Sequence, residues 1–196
     1  MGARQRHLVI FARQPRLGVG KRRLAADVGD VEAVRFARHA LDRLTQTLGR
    51  DPRWRLWLAV SPDRPLDWVR TGTPLPQGPG DLGARLTRVI QALPPGPVVI
   101  LGSDTPTVTR RDVAHAFAAL GSRRAVFGPA TDGGYWLIGL RRAQGEALPF
   151  SNVRWSTRDA LADTLANLEG SRVSLLREQE DVDDGAALRR YRARRS

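Results

Sequence analysis

Val98-Val99-Ile100-Leu101-Gly102-Ser103-Asp104-Thr105-Pro106 is the stretch around which the chain is organised. Four consecutive β-favouring apolar residues make a strand buried on both faces, as in the interior of a parallel sheet. Gly102-Ser103-Asp104 then delivers a carboxylate at the carboxyl end of that strand, the edge where open α/β sheets bind their ligands. Thr105-Pro106 stops the strand, and Thr107 or Thr109 can cap the helix that follows. Asp104 also has a plainer reading, as a turn or cap residue.

The flanking sequence alternates strand and helix. Upstream, His7 to Ala12 forms a first strand, Val31 to Leu48 a helix with Val34, Ala37, Leu41, Leu44 and Leu48 as its buried stripe, and Trp54 to Val60 a second strand. Ser61 to Pro79 is proline-rich and loop-like, with room for a short helix at Leu66–Arg70 and a short strand near Leu75. Gln77-Gly78-Pro79-Gly80-Asp81-Leu82-Gly83-Ala84-Arg85-Leu86 enters a helix that runs through Leu93. Downstream come a helix from Asp112 to Leu120 and strands at Ala125–Gly128 and Tyr135–Leu140. Ser156 or Thr157 would cap a helix to Leu168, and Arg172–Leu176 is a last strand before a final helix. This order predicts one α/β domain over 1–196, three-layered and Rossmann-like, with a mostly parallel central sheet. An antiparallel excursion is expected around Asp132, where Asp132-Gly133-Gly134 reads as a tight turn. Asp132 is open to two readings, turn geometry or chemistry.

Composition excludes several classes. There is no cysteine, hence no disulfide framework, thiolate metal site or cysteine nucleophile. No run of eighteen apolar residues suggests a membrane span, no secretory signal is recognisable at the start, and a cytoplasmic location is expected. His7, His39 and His115 have no metal-ligand spacing. The net charge of +12 fits a phosphate-bearing ligand. It also raises a non-catalytic nucleotide- or nucleic-acid-binding module, supported by Arg189, Arg190, Arg192, Arg194 and Arg195. The basic residues are spread along the whole chain, however, and nucleic acid is not the expected partner.

Among 32 basic residues only Lys21 is a lysine. It lies in Arg13-Gln14-Pro15-Arg16-Leu17-Gly18-Val19-Gly20-Lys21-Arg22-Arg23-Leu24, a glycine- and arginine-rich loop that follows the first strand. The P-loop pattern fails there, with Pro15 in place of glycine and Arg22 in place of a hydroxyl residue. The dinucleotide fingerprint fails at Arg23. What remains is a flexible turn carrying Arg13, Lys21 and Arg23, suited to phosphate. Asp104 and the acidic run Asp181 to Asp184 are natural hard-cation ligands, for Mg²⁺ or Mn²⁺ held jointly with substrate phosphates.

FARQPRLGVGKRRL, the run from Gln77, LGSDTPTVT, FGPATDGGYWLIGL, the Trp155-Ser156-Thr157 segment and Asp181-Val182-Asp183-Asp184 occur in that order. Together, over residues 7 to 188, they resemble the bacterial GT-A-like family labelled rSAM/selenodomain-associated transferases. The resemblance implies a nucleotide-diphospho-sugar transferase fold and kinship with nucleotidyltransferases such as the phospholactate guanylyltransferases. It implies Asp104 and Asp183 as metal ligands and Lys21 and Asp132 as catalytic groups, Asp132 facing the acceptor as orienting group or base. Arg13, Lys21, Arg23, Gly80, Asp81, Gly102, Ser103, Gly133 and Gly134 are then expected at the nucleotide. The implied function is metal-dependent transfer from a nucleotide-activated donor, a sugar nucleotide first, to an unidentified small-molecule acceptor. Nucleotidyl transfer from a nucleoside triphosphate, with release of pyrophosphate, is the alternative. Two departures stand out: Arg22 replaces a usual threonine in Lys-Thr-Arg-Leu, and Asp184 replaces the threonine of Asp-Val-Asp-Thr.

Overall fold

Leu8 and Ile10 face one side of a sheet and Val9 the other, all fully buried, along β1 (His7–Arg13). The neighbouring β4 (Val98–Gly102) repeats the pattern, with Val99 and Leu101 opposed to Val98 and Ile100. Successive strand residues point to opposite sides, so an unbroken apolar run needs cover on both faces. The computed structural model, which describes residues 5–63, 69–142 and 146–194, supplies that cover with helices. On the first face lie α2 (Asp30–Gly49), through Leu41, Leu44 and Leu48, and α4 (Arg110–Ala119), through Val113 and Phe117. The second face is covered by α3 (Leu82–Ala92), through Leu86, Val89 and Ile90, and by α5 (Ala160–Ala166), through Leu161 and Leu165.

The other strands are β2 (Arg55–Ser61), β3 (Thr73–Leu75), β5 (Ala125–Pro129), β6 (Tyr135–Leu140) and β7 (Val173–Leu175). The seven-stranded sheet has the order β3-β2-β1-β4-β6-β5-β7. Every neighbouring pair is parallel except the two that involve β6. The mainly parallel three-layer domain and its antiparallel excursion are therefore both present. Because β6 runs backwards, the 130–134 turn that precedes it emerges at the carboxyl edge of the parallel strands.

From β1 the chain builds outward to β2 and β3 on one side, and from β4 to β6, β5 and β7 on the other. The crevice above the carboxyl ends of β1 and β4, where Phe11 is in register with Gly102, is thus a topological switch point. One side of it is closed by α1 (Arg22–Val28) and α6 (Gly185–Ala193), which pack on α2 through Leu24, Phe36, Leu188 and Tyr191.

Local chemistry sets the boundaries. Thr109 caps α4 in a reciprocal capping box with Asp112, while the Thr107 hydroxyl donates to Gln179 at 2.7 Å. The expected cap of α5 is corrected. Ser156 adopts a left-handed φ of 62°, and the helix starts only at Ala160. Thr157 instead donates to the Arg154 carbonyl and accepts from the Asp159 N–H, forming a turn ahead of the helix. The short helix expected at Leu66–Arg70 falls largely on 64–68, outside the described residues. Among the described residues no helix is long and apolar enough to cross a membrane.

Candidate functional site

Gly18 and Gly20, both at φ 71°, turn the chain after β1 so that Lys21 arrives directly ahead of α1. Lys21 itself is left-handed, at φ 46° and ψ 36°. For a non-glycine residue that backbone costs energy, and such strain concentrates at sites where the fold needs a side chain aimed in one direction. The ammonium points under the end of β4. Its Nζ lies 2.8 Å from Asp104 Oδ1, 2.9 Å from Asp183 Oδ1 and 2.7 Å from the Val182 carbonyl. It therefore meets as many oxygens as it has protons, with the Phe36 ring 5.6 Å away. The Lys21 side chain is 11% exposed, and each of the two carboxylates 48%. Burial alone would lower the pKa of Lys21, but Asp104 and Asp183 outweigh it and raise the value above its ordinary one.

The two carboxylates reach this point from distant parts of the chain. Asp104 follows β4, and Asp183 lies between β7 and α6. The Val182 N–H donates to the Asp104 carbonyl at 3.0 Å, joining the two segments. Asp184 accepts from the Ala187 N–H and caps α6, so the departure from threonine preserves a capping residue. Asp181 turns inward and accepts from the Thr105 hydroxyl. Burial pushes its carboxyl up to about 6 against that hydrogen bond, helped by the charges of Asp104, Asp183 and Asp132.

The cleft above this triad has a volume of about 770 Å³. Arg13, Lys21, Gly80, Asp81, Gly102, Ser103, Asp104 and Asp183, all predicted from sequence, line it, together with Arg22, Arg85, Trp155 and Ser156. Asp81 Oδ1 accepts from the Ala84 N–H at 2.8 Å, so this carboxylate is already engaged as the cap of α3. Arg23 is not among the lining residues, and Arg22 is. One residue further along α1 is a rotation of about 100°; Leu24 takes the core-facing position and Arg23 stays exposed. Asp132, Gly133 and Gly134 also lie outside the lining. Asp132 Oδ1 accepts from the Gly134 N–H at 2.9 Å, and Gly133, at φ 88°, lets the Arg158 backbone approach closely.

Three contributors went unassigned in the sequence although they lay in the quoted motifs. Gln77 is fully buried; its amide donates to the Ala12 and Ala59 carbonyls and accepts from Arg85, bracing the ends of β1 and β2 against α3. Arg85 sits 5.4 Å over the Phe11 ring, and burial lowers its pKa. Trp155 packs against Gly83, where a Cβ would come within 3.1 Å of the indole nitrogen. The signal for Gln77 and Arg85 was their place in the Gln77 to Arg85 run, and for Trp155 its place in Trp155-Ser156-Thr157.

Among the described residues no three His, Cys, Asp or Glu side chains form a preformed metal cage. The donor set nevertheless fits a hard cation that keeps other ligands, since Mg²⁺ is commonly held by one or two carboxylates plus substrate phosphates. Asp104 and Asp183 offer two half-exposed carboxylates whose Oδ1 atoms share one cationic neighbour.

Comparison with solved structures supports the fold. A candidate nucleotide-diphospho-sugar transferase from Desulfovibrio desulfuricans is 29% identical, with a TM-score of 0.84 over 91% of this chain and 82% of that one. CMP:2-keto-3-deoxy-manno-octonic acid synthetase, solved with CTP, matches at 16% identity and a TM-score of 0.55 over 97% of this chain and 98% of the other. Rv0371c of Mycobacterium tuberculosis, solved with manganese, matches at 18% identity and 0.53 over 96% and 98%. No curated protein matches the chain. The fold is thus that of the nucleotide-diphospho-sugar transferases and cytidylyltransferases. A family model described as "uncharacterized protein conserved in bacteria" (DUF2064) matches residues 41–157, and the chain belongs to that family.

Proposed function

We propose that the protein is a metal-dependent transferase that binds a nucleotide-activated donor, a sugar nucleotide, in the cleft over β1 and β4. The observation that carries this is the meeting of Asp104 and Asp183 on Lys21 at the switch point of the sheet, in a cleft also lined by Arg13, Arg22 and Arg85. Asp104 and Asp183 would hold Mg²⁺ or Mn²⁺, which supplies positive charge against the negative charge that develops on the leaving phosphate. The arginines hold and orient the phosphates by charge-assisted hydrogen bonds. The proposal leaves Asp132 in its turn and assigns it no proton transfer.

The same residues also serve nucleotidyl transfer. The likeness to the synthetase solved with CTP keeps that reading beside the first, as a fold-level analogy. The test is thermal unfolding against nucleoside triphosphates, diphosphates and sugar nucleotides, with and without Mn²⁺, for wild type and Asp104→Asn. A ligand that binds only the folded chain must raise the midpoint. A shift that needs nucleotide and metal together, and disappears in Asp104→Asn, supports the proposal; no shift with any nucleotide refutes it. Release of a nucleoside diphosphate marks glycosyl transfer, and release of pyrophosphate marks nucleotidyl transfer.

A further inference from the structure

We infer that the cleft takes up its divalent cation only as part of a metal–phosphate ligand, because Lys21 holds the two carboxylates until phosphate oxygens are offered to its ammonium. This rests on the proposal that Asp104 and Asp183 are the metal-holding pair.

Four observations carry it. The Lys21 ammonium already stands against the Oδ1 atom of both carboxylates. A metal ion binds carboxylate oxygens at about 2.1 Å, so a divalent ion held by both carboxylates stands close against the ammonium, and repulsion between the two cations turns Lys21 aside. Its backbone cannot follow, because the Lys21 carbonyl accepts from the Ala25 N–H at 2.8 Å and so belongs to the first turn of α1. Only the side-chain torsions are free to move.

A displaced ammonium then needs new acceptors. Of the charged side chains that line the cleft, Arg13, Arg22 and Arg85 are cations, and the remaining carboxylate, Asp81, is committed to capping α3. Moved aside by a bare ion, Lys21 would lose both carboxylates from a largely desolvated position, and the cleft offers it no free anionic side chain in exchange, only neutral acceptors such as Gln14 Oε1. Leaving a buried charged group unpaired is among the most costly changes a protein can undergo. Phosphate oxygens arriving with the metal supply the missing acceptors.

The charge count agrees. Four cationic and three anionic side chains line the cleft. A bare divalent ion adds to an existing positive excess, whereas a metal bound to pyrophosphate does not. Lys21 is therefore both the barrier to free metal and the partner of the phosphates once they are bound; the sequence pointed only to the second role.

Calorimetric titration of the full chain tests this, with MnCl₂ alone and with preformed Mn²⁺–pyrophosphate as nucleobase-independent probes. Wild type is expected to bind Mn²⁺–pyrophosphate at least about tenfold more tightly than MnCl₂. Lys21→Met, which keeps the apolar stem, is expected to bind MnCl₂ at least about tenfold more tightly than wild type does and to lose most of the preference for the complex. Wild type binding MnCl₂ as tightly as Mn²⁺–pyrophosphate overturns the inference, and that comparison needs no variant. A Lys21→Met that binds MnCl₂ no better than wild type overturns it too. If Asp104→Asn abolishes Mn²⁺ binding in those cases, the metal assignment stands and only the role of Lys21 is refuted. Mn²⁺ binding that ignores Asp104→Asn, or is absent throughout, refutes both.

Discussion

Val182 donates its backbone N–H to the carbonyl of Asp104 at 3.0 Å, and the Val182 carbonyl accepts from Lys21 Nζ at 2.7 Å. One peptide segment thus fixes the carboxylate after β4 and seats the ammonium. Asp183, the next residue, inherits its position from the same bonds. The placement of both carboxylates is therefore set by backbone geometry, and exchanging either for its amide changes charge with little change of shape.

Asp104→Asn and Asp183→Asn should each leave a folded chain. The metal-dependent nucleotide shift should vanish, and turnover on the true substrate should fall by at least about 100-fold, the scale of losing a transition-state charge partner. Circular dichroism checks the fold, and the unfolding midpoint with nucleotide and Mn²⁺ checks binding. A normal shift in both variants would remove the pair from the site.

Gly133→Ala should destabilise the chain by more than about 2 kcal/mol. Gly133 has φ 88°, and an added Cβ would lie 2.1 Å from the Arg158 carbonyl oxygen. The Gly133 carbonyl also accepts from the Leu161 N–H at 3.1 Å, so the turn cannot back away without releasing α5. Urea unfolding measures the loss; a midpoint equal to wild type would contradict the close approach.

Asp112→Asn should cost about 1–2 kcal/mol at neutral pH, since Asp112 belongs to the capping box of α4 and also pairs with Arg177 at 2.9 Å. Burial by itself would raise the pKa of Asp112. The hydrogen bonds from Arg177 and Thr109 prevail and hold it below the ordinary value of 3.8. The stabilisation is present in full above the unfolded value and is lost as pH falls through the folded one. The gap between wild type and variant should therefore narrow as pH falls below 3.8. A gap that persists there would assign the effect to packing.

His7 gives an acid limb of a different kind. Its Nδ1 accepts from the Trp57 indole N–H at 3.2 Å, which requires a neutral ring at that atom. Burial pushes the pKa of His7 below the ordinary value of 6.5, against the pull of the Pro95 carbonyl. Above 6.5 both folded and unfolded states are neutral; below it the unfolded chain takes up a proton that the folded chain resists. His7 should therefore withdraw stability as pH drops from 7 towards 5, against Asp181, whose carboxyl, raised to about 6, works in the opposite direction, and His7→Gln should remove the His7 share from the slope of unfolding midpoints against pH. An unchanged slope would place the titrating group elsewhere.

What was legible in the sequence was whatever depended on local pattern. The apolar runs of β1 and β4, the proline and glycine breaks, the Thr109 cap and the Asp132-Gly133-Gly134 turn all depend on neighbours close in sequence. Asp104 and the acidic run Asp181 to Asp184 could be paired by their chemistry, but the choice of Asp183 within that run was legible only through a resemblance. Lys21 was expected at phosphates; its attachment to two carboxylates depends on a left-handed backbone and on a segment from the far end of the chain. Arg22 and Arg23 could not be told apart until the first residue of α1 was fixed, because a shift of one residue exchanges which of them faces the cleft. Gln77 looked like loop, since nothing near it in sequence reveals that the Ala12 and Ala59 carbonyls need its amide.

The late position of Asp183 has a consequence for synthesis. When residues through Leu140 have left the ribosome, six of the seven strands and Asp104 exist, but Asp183 and its neighbour Val182 do not. Lys21 then has only part of its oxygen shell, and the cleft lacks its second carboxylate. The segment that completes the cleft is thus among the last to be made, together with β7, α5 and α6, which finish the sheet and its cover.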